Sequence, residues 1–404
     1  MRSVTDLAVR GRRVLLRTDM NVPMDRSSAS GAVITDDGRI RAALPTIEFL
    51  RSQGARVVVV AHLGRPKGVP DASLSLRPVA DRLGELLGAD IPLGSDITGP
   101  QATALVNSMN DGDVVMLENI RFDARETSKD STQREALAEE LAALADEYVS
   151  DGFGVVHREQ ASVTDIARLL PSAAGLLVAR EADVFTRLLA EPDRPFVVIL
   201  GGSKVSDKLG VIENLIDRVD CLLIGGGMAF TFLAGQGFSV GDSLLEPDEI
   251  ETTKRFMDRA QARGVELLLP VDIVVADAFR ADANVRVVPS SQIPDGWLGL
   301  DIGPTTSALF AERIASGRTI VWNGPMGVFE MPPFANGTRV VAEAMAATAG
   351  FTVIGGGDSA AAIRAVGLDD AHFDHISTGG GASLEFLEGK DLPGLAVLEA
   401  PVTT

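Results

Sequence analysis

Ten times along this chain, a short run rich in Val, Ile and Leu gives way to a polar or glycine-rich loop and then to a helical pattern. No other feature constrains the fold as much, because buried parallel strands read as continuous apolar runs and need crossover helices to join them. The first-half runs are VLLR ending at Arg17, RVVVVAHLGR at Arg65, DVVMLENIRF at Phe122 and EYVSDGFGVVHR at Arg158. The second half continues with FVVILGGSK, CLLIGGGMAF, VELLLPVD, TIVWNGPMGVFE, FTVIGGGDSA and HISTGGGAS. At 404 residues the chain is long enough for more than one core. The expectation is an α/β fold of two doubly wound, Rossmann-like parallel-sheet domains, spanning 1–172 and 173–391. An amphipathic run from about Ala173 to Ala190, closed by Pro192 and Pro195, reads as the helix joining them. STQREALAEELAALADEYV reads as a packing helix capped by Ser131 or Thr132.

In a parallel sheet the loops leaving the carboxyl ends of the strands share one edge, so each half of the chain should carry its own half-site. The first-half loops supply Arg17, Arg39, His62, Arg65, Arg121 and Arg158. Gathered on one edge, these make a pocket for a small, highly anionic ligand, since arginine grips phosphate and carboxylate with paired donors. A local basic site matters here, because 37 Lys+Arg against 56 Asp+Glu leave a formal charge of −19. That balance also disfavours nucleic acid as a partner. No apolar run reaches the roughly 18 to 20 residues of a membrane span. The lone Cys221 cannot form an internal disulfide, and MRSVTDLAVRGRRVLLR lacks a signal-peptide core. A reducing cytoplasm is therefore expected.

The second half offers glycines instead of cations. FVVILGGSKVSDKLG predicts a strand, a turn and a helix that begins around Lys204 and brings Lys208 onto the same face. A helix start with two lysines suits phosphate; two solvated surface lysines are the alternative. Three further clusters, Gly225–Gly227, Gly355–Gly357 and Gly379–Gly381, each follow an apolar run and point towards a nucleotide. Asp358 stands where a carboxylate could face magnesium, with a helix N-cap as its competing role. GGGDSA fits a loose dinucleotide fingerprint, but the basic loops would go unexplained in an NAD-dependent dehydrogenase, and no P-loop pattern occurs. An exported two-lobed solute-binding protein is the non-catalytic rival. His157, His372 and His375 lack metal-ligand spacing and are assigned structural roles.

RTDMNVP, HLGRPKG, LENIRF, FGVVHR, GGSKVSDK, GGGMAFTFL, WNGPMGVFE, GGGDS and STGGGASLEFLEGK stand in one order along the chain. On these segments the sequence resembles the phosphoglycerate kinase family over nearly its whole length. The resemblance implies an N-domain for 3-phosphoglycerate or 1,3-bisphosphoglycerate, a C-domain for Mg2+ with ADP or ATP, closure by hinge bending, and a monomer. It also implies that the tail, 392–404, returns to the N-domain.

Carried over by position, Asp19, Asn21, Arg39, His62, Leu63, Gly64, Arg65, Arg121 and Arg158 would bind the glycerate. Lys204, Lys208, Gly225, Gly299, Asn323, Glu330, Gly356, Gly357, Asp358 and Ser359 would hold the nucleotide, with Asp358 on the metal. Arg39, Lys208, Gly380 and Gly381 would stabilise the phosphoryl group in transfer. Gln160 departs from the pattern, standing where many members have a second histidine.

Overall fold

In the computed structural model, which describes residues 1–26 and 32–399, the apolar runs become strands of two separate parallel sheets. The chain divides into two units: Met1–Asp183 together with the segment that begins at Asp391, and Val184–Lys390.

In the first unit β1 (Arg13–Thr18) is followed by a small antiparallel pair, β2 (Met24–Asp25) and β3 (Val33–Ile34), and then by α1 (Gly38–Ser52). β4 (Arg56–Val60), α2 (Arg77–Leu87), α3 (Pro100–Asn107), β5 (Val114–Met116), α4 (Ser131–Ala142), β6 (Glu147–Asp151) and β7 (Ser172–Ala174) come next. The sheet runs β5-β4-β1-β6-β7 with every pairing parallel. Strand order reverses beside β1, so right-handed crossovers place helices on both faces and open a crevice at the carboxyl ends of β1 and β6. Val14, Leu16, Val57, Val59 and Met116 meet Ile47, Leu50 and Leu83 in one buried cluster. Their burial, at about 1.5–3 kcal/mol per large side chain, is the main force holding the strand ends in place.

Two helix starts differ from the sequence reading. The cap of α4 is Asp130, whose carboxylate accepts from Thr132 N at 3.0 Å, so Ser131 already lies inside the helix. The joining helix, α5 (Leu176–Ala190), begins later than Ala173 because Ser172–Ala174 pairs with β6 as an edge strand. Its first turn starts where acceptors exist: Thr46 Oγ1 takes Leu176 N at 3.0 Å, and Asp151 Oδ1 takes Leu177 N at 3.0 Å and Val178 N at 3.4 Å. Gly175 precedes it because a Cβ there would run into the Asp151 carboxylate. The division between units falls within α5, after Asp183.

The second unit contains β8 (Phe196–Leu200), α6 (Leu209–Leu215), β9 (Cys221–Ile224), α7 (Ala229–Gly235), α8 (Ile250–Arg263) and β10 (Glu266–Leu268). VELLLPVD is not one strand. Pro270 interrupts it, and Asp272 opens β11 (Asp272–Ala276), which joins β12 (Val285–Pro289) and β13 (Leu298–Ile302) in a separate antiparallel sheet ordered β12-β11-β13. After α9 (Pro304–Ser316) the main sheet resumes with β14 (Thr319–Asn323), α10 (Asn336–Ala347), β15 (Phe351–Gly355), α11 (Gly357–Ala365), β16 (His375–Ile376) and α12 (Gly380–Leu387). Its order, β10-β9-β8-β14-β15-β16, is again parallel and again reverses, here between β8 and β14. Cys221 is a buried core residue of β9.

The segment that rejoins the first unit carries α13 (Pro393–Glu399), where Gly394 N donates to Val156 O at 2.8 Å. Residues 400–404 of the expected tail lie outside the described residues.

Candidate active site

The loops at the carboxyl edge of the first sheet are tied to one another by side chains. Asn21, after β1, accepts Gly64 N at 2.8 Å, and Asn119, after β5, accepts Leu63 N at 3.3 Å and donates to Leu63 O at 2.8 Å. Gly64 has φ +63°, which only glycine adopts freely, and its carbonyl accepts from Arg121 Nη1 at 2.8 Å. Arg39 enters from the first turn of α1, where Nη1 lies 2.9 Å from each oxygen of the nearly buried Asp19. Arg65 and Arg158 are exposed. Burial, with Arg17 and Arg158 adding to it, pulls the Arg121 guanidinium down to about 10, and its Nε is buried without a hydrogen-bond partner. The cluster thus holds more positive charge than its own carboxylates neutralise, as an anion-binding site requires.

Arg17 does not belong to that ligand-facing set. Its side chain is 0% exposed, buried under the loops, where Nε donates to Ser162 Oγ at 2.7 Å and Nη2 lies 3.8 Å from Glu126. His157, given a structural role from sequence, accepts from Arg158 Nε through Nε2 at 2.8 Å, and its buried Nδ1 has no partner. Burial and Arg158 push its pKa down to about 4.

At the switch point of the second unit lies a polar cavity of about 210 Å3. Lys204, Lys208, Asn323, Gly356–Ser359 and Gly380 are in its wall. Both α11 and α12 open on it without side-chain caps, leaving their first N–H groups free for an anion. Ser359 Oγ accepts Gly324 N at 2.8 Å and donates to Gly355 O at 2.9 Å, pinning the α11 loop to the β14 loop. Lys204 and Lys208 share no helix face, contrary to expectation. A 3-10 turn, Ser206–Lys208, precedes α6, and Glu246 holds that turn by accepting Ser206 N and Oγ at 3.1 and 2.6 Å. The two lysines still line one cavity. Burial lowers the Lys208 pKa, against the pull of Asp207 and Asp358.

Sharing Gly202, Ser203 and Pro325 with this cavity is a second one, of about 370 Å3 and largely apolar. Phe230, Leu244, Phe279, Leu300, Met326 and Val328 form its walls, with Gly299 and Glu330 among the lining residues. None of these apolar residues was singled out from sequence. Leu244 and Phe279 stand 59% and 62% exposed, unusual for such side chains, at its margin. Gly299 is glycine because a Cβ would enter the Phe230 ring; Gly225 lies beneath the wall, where a Cβ would meet Met326 Sδ at 2.5 Å. Trp322 is fully buried and donates Nε1 to Gly324 O at 2.7 Å, supporting the loop. A larger cavity, about 660 Å3 beside α8 and β10, contains no cation or glycine turn in its lining, and its one carboxylate, Glu266, is held by Arg313. Size alone does not mark the site.

An apolar chamber joined to a cationic, glycine-lined one matches a nucleotide's base and phosphates, and a basic sheet edge on the companion unit matches a second anionic substrate. Together they define a two-unit α/β phosphotransferase. The family model described as Phosphoglycerate kinase matches residues 4–390. The chain belongs to the phosphoglycerate kinase family.

Its similarity to the phosphoglycerate kinase of Clavibacter michiganensis subsp. michiganensis is 60% identity over 98% of this chain and 99% of the relative. That of Frankia casuarinae is 58% identical over 99% and 100%. Among solved structures, phosphoglycerate kinase from Coxiella burnetii matches with TM-score 0.86 at 39% identity, covering 98% of both chains. Phosphoglycerate kinase from Pyrococcus horikoshii matches with TM-score 0.83 at 33% identity, covering 99% of this chain and 98% of that one.

Proposed function

We propose that this phosphotransferase carries out reversible, magnesium-dependent transfer of the acyl phosphate of 1,3-bisphosphoglycerate to ADP, giving 3-phosphoglycerate and ATP in glycolysis and gluconeogenesis. The observation that carries this reading is the joined pair of cavities at the β8–β14 switch point, one apolar and one lined by lysines and free helix N–H groups. Phe230, Leu244, Phe279 and Gly299 enclose the base, Glu330 takes the ribose hydroxyls, and Lys204, Asn323, Gly356, Gly357 and Ser359 take the phosphates. Asp19, Asn21, His62, Leu63, Gly64, Arg65, Arg121 and Arg158 hold the glycerate.

Both nucleophiles, a carboxylate and a phosphate oxygen, are already anions, so no side chain has to remove a proton. What the reaction needs is alignment and neutralisation of the moving charge. Asp19 preorients Arg39 for that task. Lys208 and the N–H groups of Gly380 and Gly381 supply the rest. Among the described residues no group of three or more His, Cys, Asp or Glu could cage a metal. Asp358, which shares the phosphate cavity wall with one other carboxylate, Asp207, fits magnesium all the same, since that ion is usually held by one or two carboxylates plus substrate phosphates. When bound, magnesium would offset phosphate charge.

Each ligand belongs to one unit, so transfer requires the sheet edges to be brought together, with α5 and the returning segment at Asp391 as the two chain connections. Closure also excludes water and limits ATP hydrolysis. A cytoplasmic monomer without nucleic-acid or membrane partners completes the reading. The −19 charge disfavours nucleic acid as a partner, and no helix among the described residues is long and apolar enough to cross a membrane. A coupled assay for ATP formation from 1,3-bisphosphoglycerate and MgADP tests the activity. Absence of ADP-dependent turnover, or of its dependence on magnesium, would sink the proposal.

A further inference from the structure

We infer that Arg17 is a positioning residue that holds His62 in one neutral tautomer, with the proton on Nε2, so that His62 meets its ligand as an oriented N–H donor and not as a charge. The consequence for catalysis rests on the reading of His62 as a ligand of the glycerate. The tautomer itself does not.

The argument begins with the hydrogens of a guanidinium. Arg17 has five N–H donors and no acceptor. It lies at the end of β1 with 0% exposure, and its groups are engaged on all sides: Nε on Ser162 Oγ at 2.7 Å, Nη1 on Thr18 O, and Nη2 at 3.3 Å from His62 Nδ1. Since Arg17 can only donate, Nδ1 must offer its lone pair, and a neutral imidazole then carries its one proton on Nε2. The guanidinium is itself held. Glu126, also 0% exposed, lies 3.8 Å from Nη2 and accepts Ser162 Oγ at 2.6 Å and Ser162 N at 2.9 Å.

A second proton on His62 would set N–H against N–H at Arg17. It would also add a cation where Arg39 from α1, Arg121 after β5 and Arg158 after β6 already press on the ring. The nearby carboxylates are otherwise engaged: Asp19 with Arg39, and Glu126 with Ser162 and Arg17. His62 is only 3% exposed, and burial followed by these arginines drives its pKa well below the ordinary histidine value. His62 therefore adds no charge to the basic edge where histidines normally titrate.

Nitrogen-15 NMR of the full chain tests this, with His62→Gln identifying the His62 signals. The expected spectrum has a lone-pair signal at Nδ1, a protonated signal at Nε2, and no titration around the ordinary histidine value. A protonated Nδ1, or a midpoint near the ordinary value of about 6.5, would overturn the inference. In the charge-balanced double variant Arg17→Met with Glu126→Gln, the tautomer should become mixed and His62 should titrate. The KM for 3-phosphoglycerate should then depend on pH while that for MgADP does not. Retention of the single tautomer in that variant would remove Arg17 from the role. If the variant does not fold, the wild-type spectrum still decides the tautomer. Should the spectrum be as expected and 3-phosphoglycerate leave the His62 signals unmoved, the ligand reading fails and the tautomer stands.

Discussion

Lys208 combines two properties that single it out at the residue scale: it lines the phosphate cavity, and burial lowers its pKa against the pull of Asp207 and Asp358. A cation so placed acts where solvent screening is weak, so Lys208→Ala should reduce kcat by about 100-fold or more. Steady-state kinetics showing a near-normal kcat would take Lys208 out of the mechanism. Arg65 is exposed at the basic edge, and Arg65→Ala should raise the KM for 3-phosphoglycerate and leave that for MgADP unchanged. Equal loss of both would contradict separate half-sites. Gly299 is a steric case. A Cβ would enter the Phe230 ring, so Gly299→Ala should cost about 1–3 kcal/mol and raise the nucleotide KM, read by denaturant unfolding and by kinetics.

Among the elements, α5 depends most on distant residues. Its first N–H groups are taken by Asp151 and Thr46, which belong to β6 and α1, the same elements that lead into Arg158 and carry Arg39. Burial raises the Asp151 pKa to about 7, against about 3.9 for an unfolded Asp. The folded chain thus binds this proton more tightly. Its contribution to stability is complete below about pH 4 and is lost as pH rises through about 7. Urea unfolding followed across that window should show the first unit losing stability with rising pH. Asp151→Asn keeps an acceptor for α5 and removes the titration, so its slope should be flatter. An unchanged slope would mean that Asp151 is ionised in the fold throughout.

At the scale of the whole molecule, the proposed function assigns each ligand to one unit. The contacts favouring closure are then complete only when both ligands are bound. Small-angle scattering should give a smaller radius of gyration for the ternary complex than for the free protein, with either ligand alone producing at most part of the change. A ternary complex no more compact than the free protein would rule out hinge closure as the means of assembling the site.

Periodicity and strand-end chemistry are local, and they were readable along the chain: the parallel sheets, the glycine turns at Gly356 and Gly379, the loops bearing Arg121 and Arg158, and the order of motifs that marks the family. Properties set by packing across long separations were not. Nothing local distinguishes Arg17 from Arg121, yet one is sealed under the sheet edge by Ser162, 145 residues away, and the other is half-buried and donates to Gly64 O in the loop after β4. The apolar chamber of Phe230, Leu244 and Phe279 draws on α7, the loop after it and the antiparallel sheet region, and only Phe230 of the three lies in a motif, GGGMAFTFL. Helix starts followed the same rule. α5 begins at Leu176 because Asp151 accepts its N–H groups from 26 residues away, and the turn at Lys208 exists because Glu246 holds Ser206 from 40 residues away. Sequence determined which segments are strands and which loops bear charge, since those follow from a few neighbouring side chains. Tertiary structure decided which charges are buried, where helices begin and what walls the nucleotide cavity, because each depends on a partner that only folding brings within hydrogen-bonding or van der Waals distance.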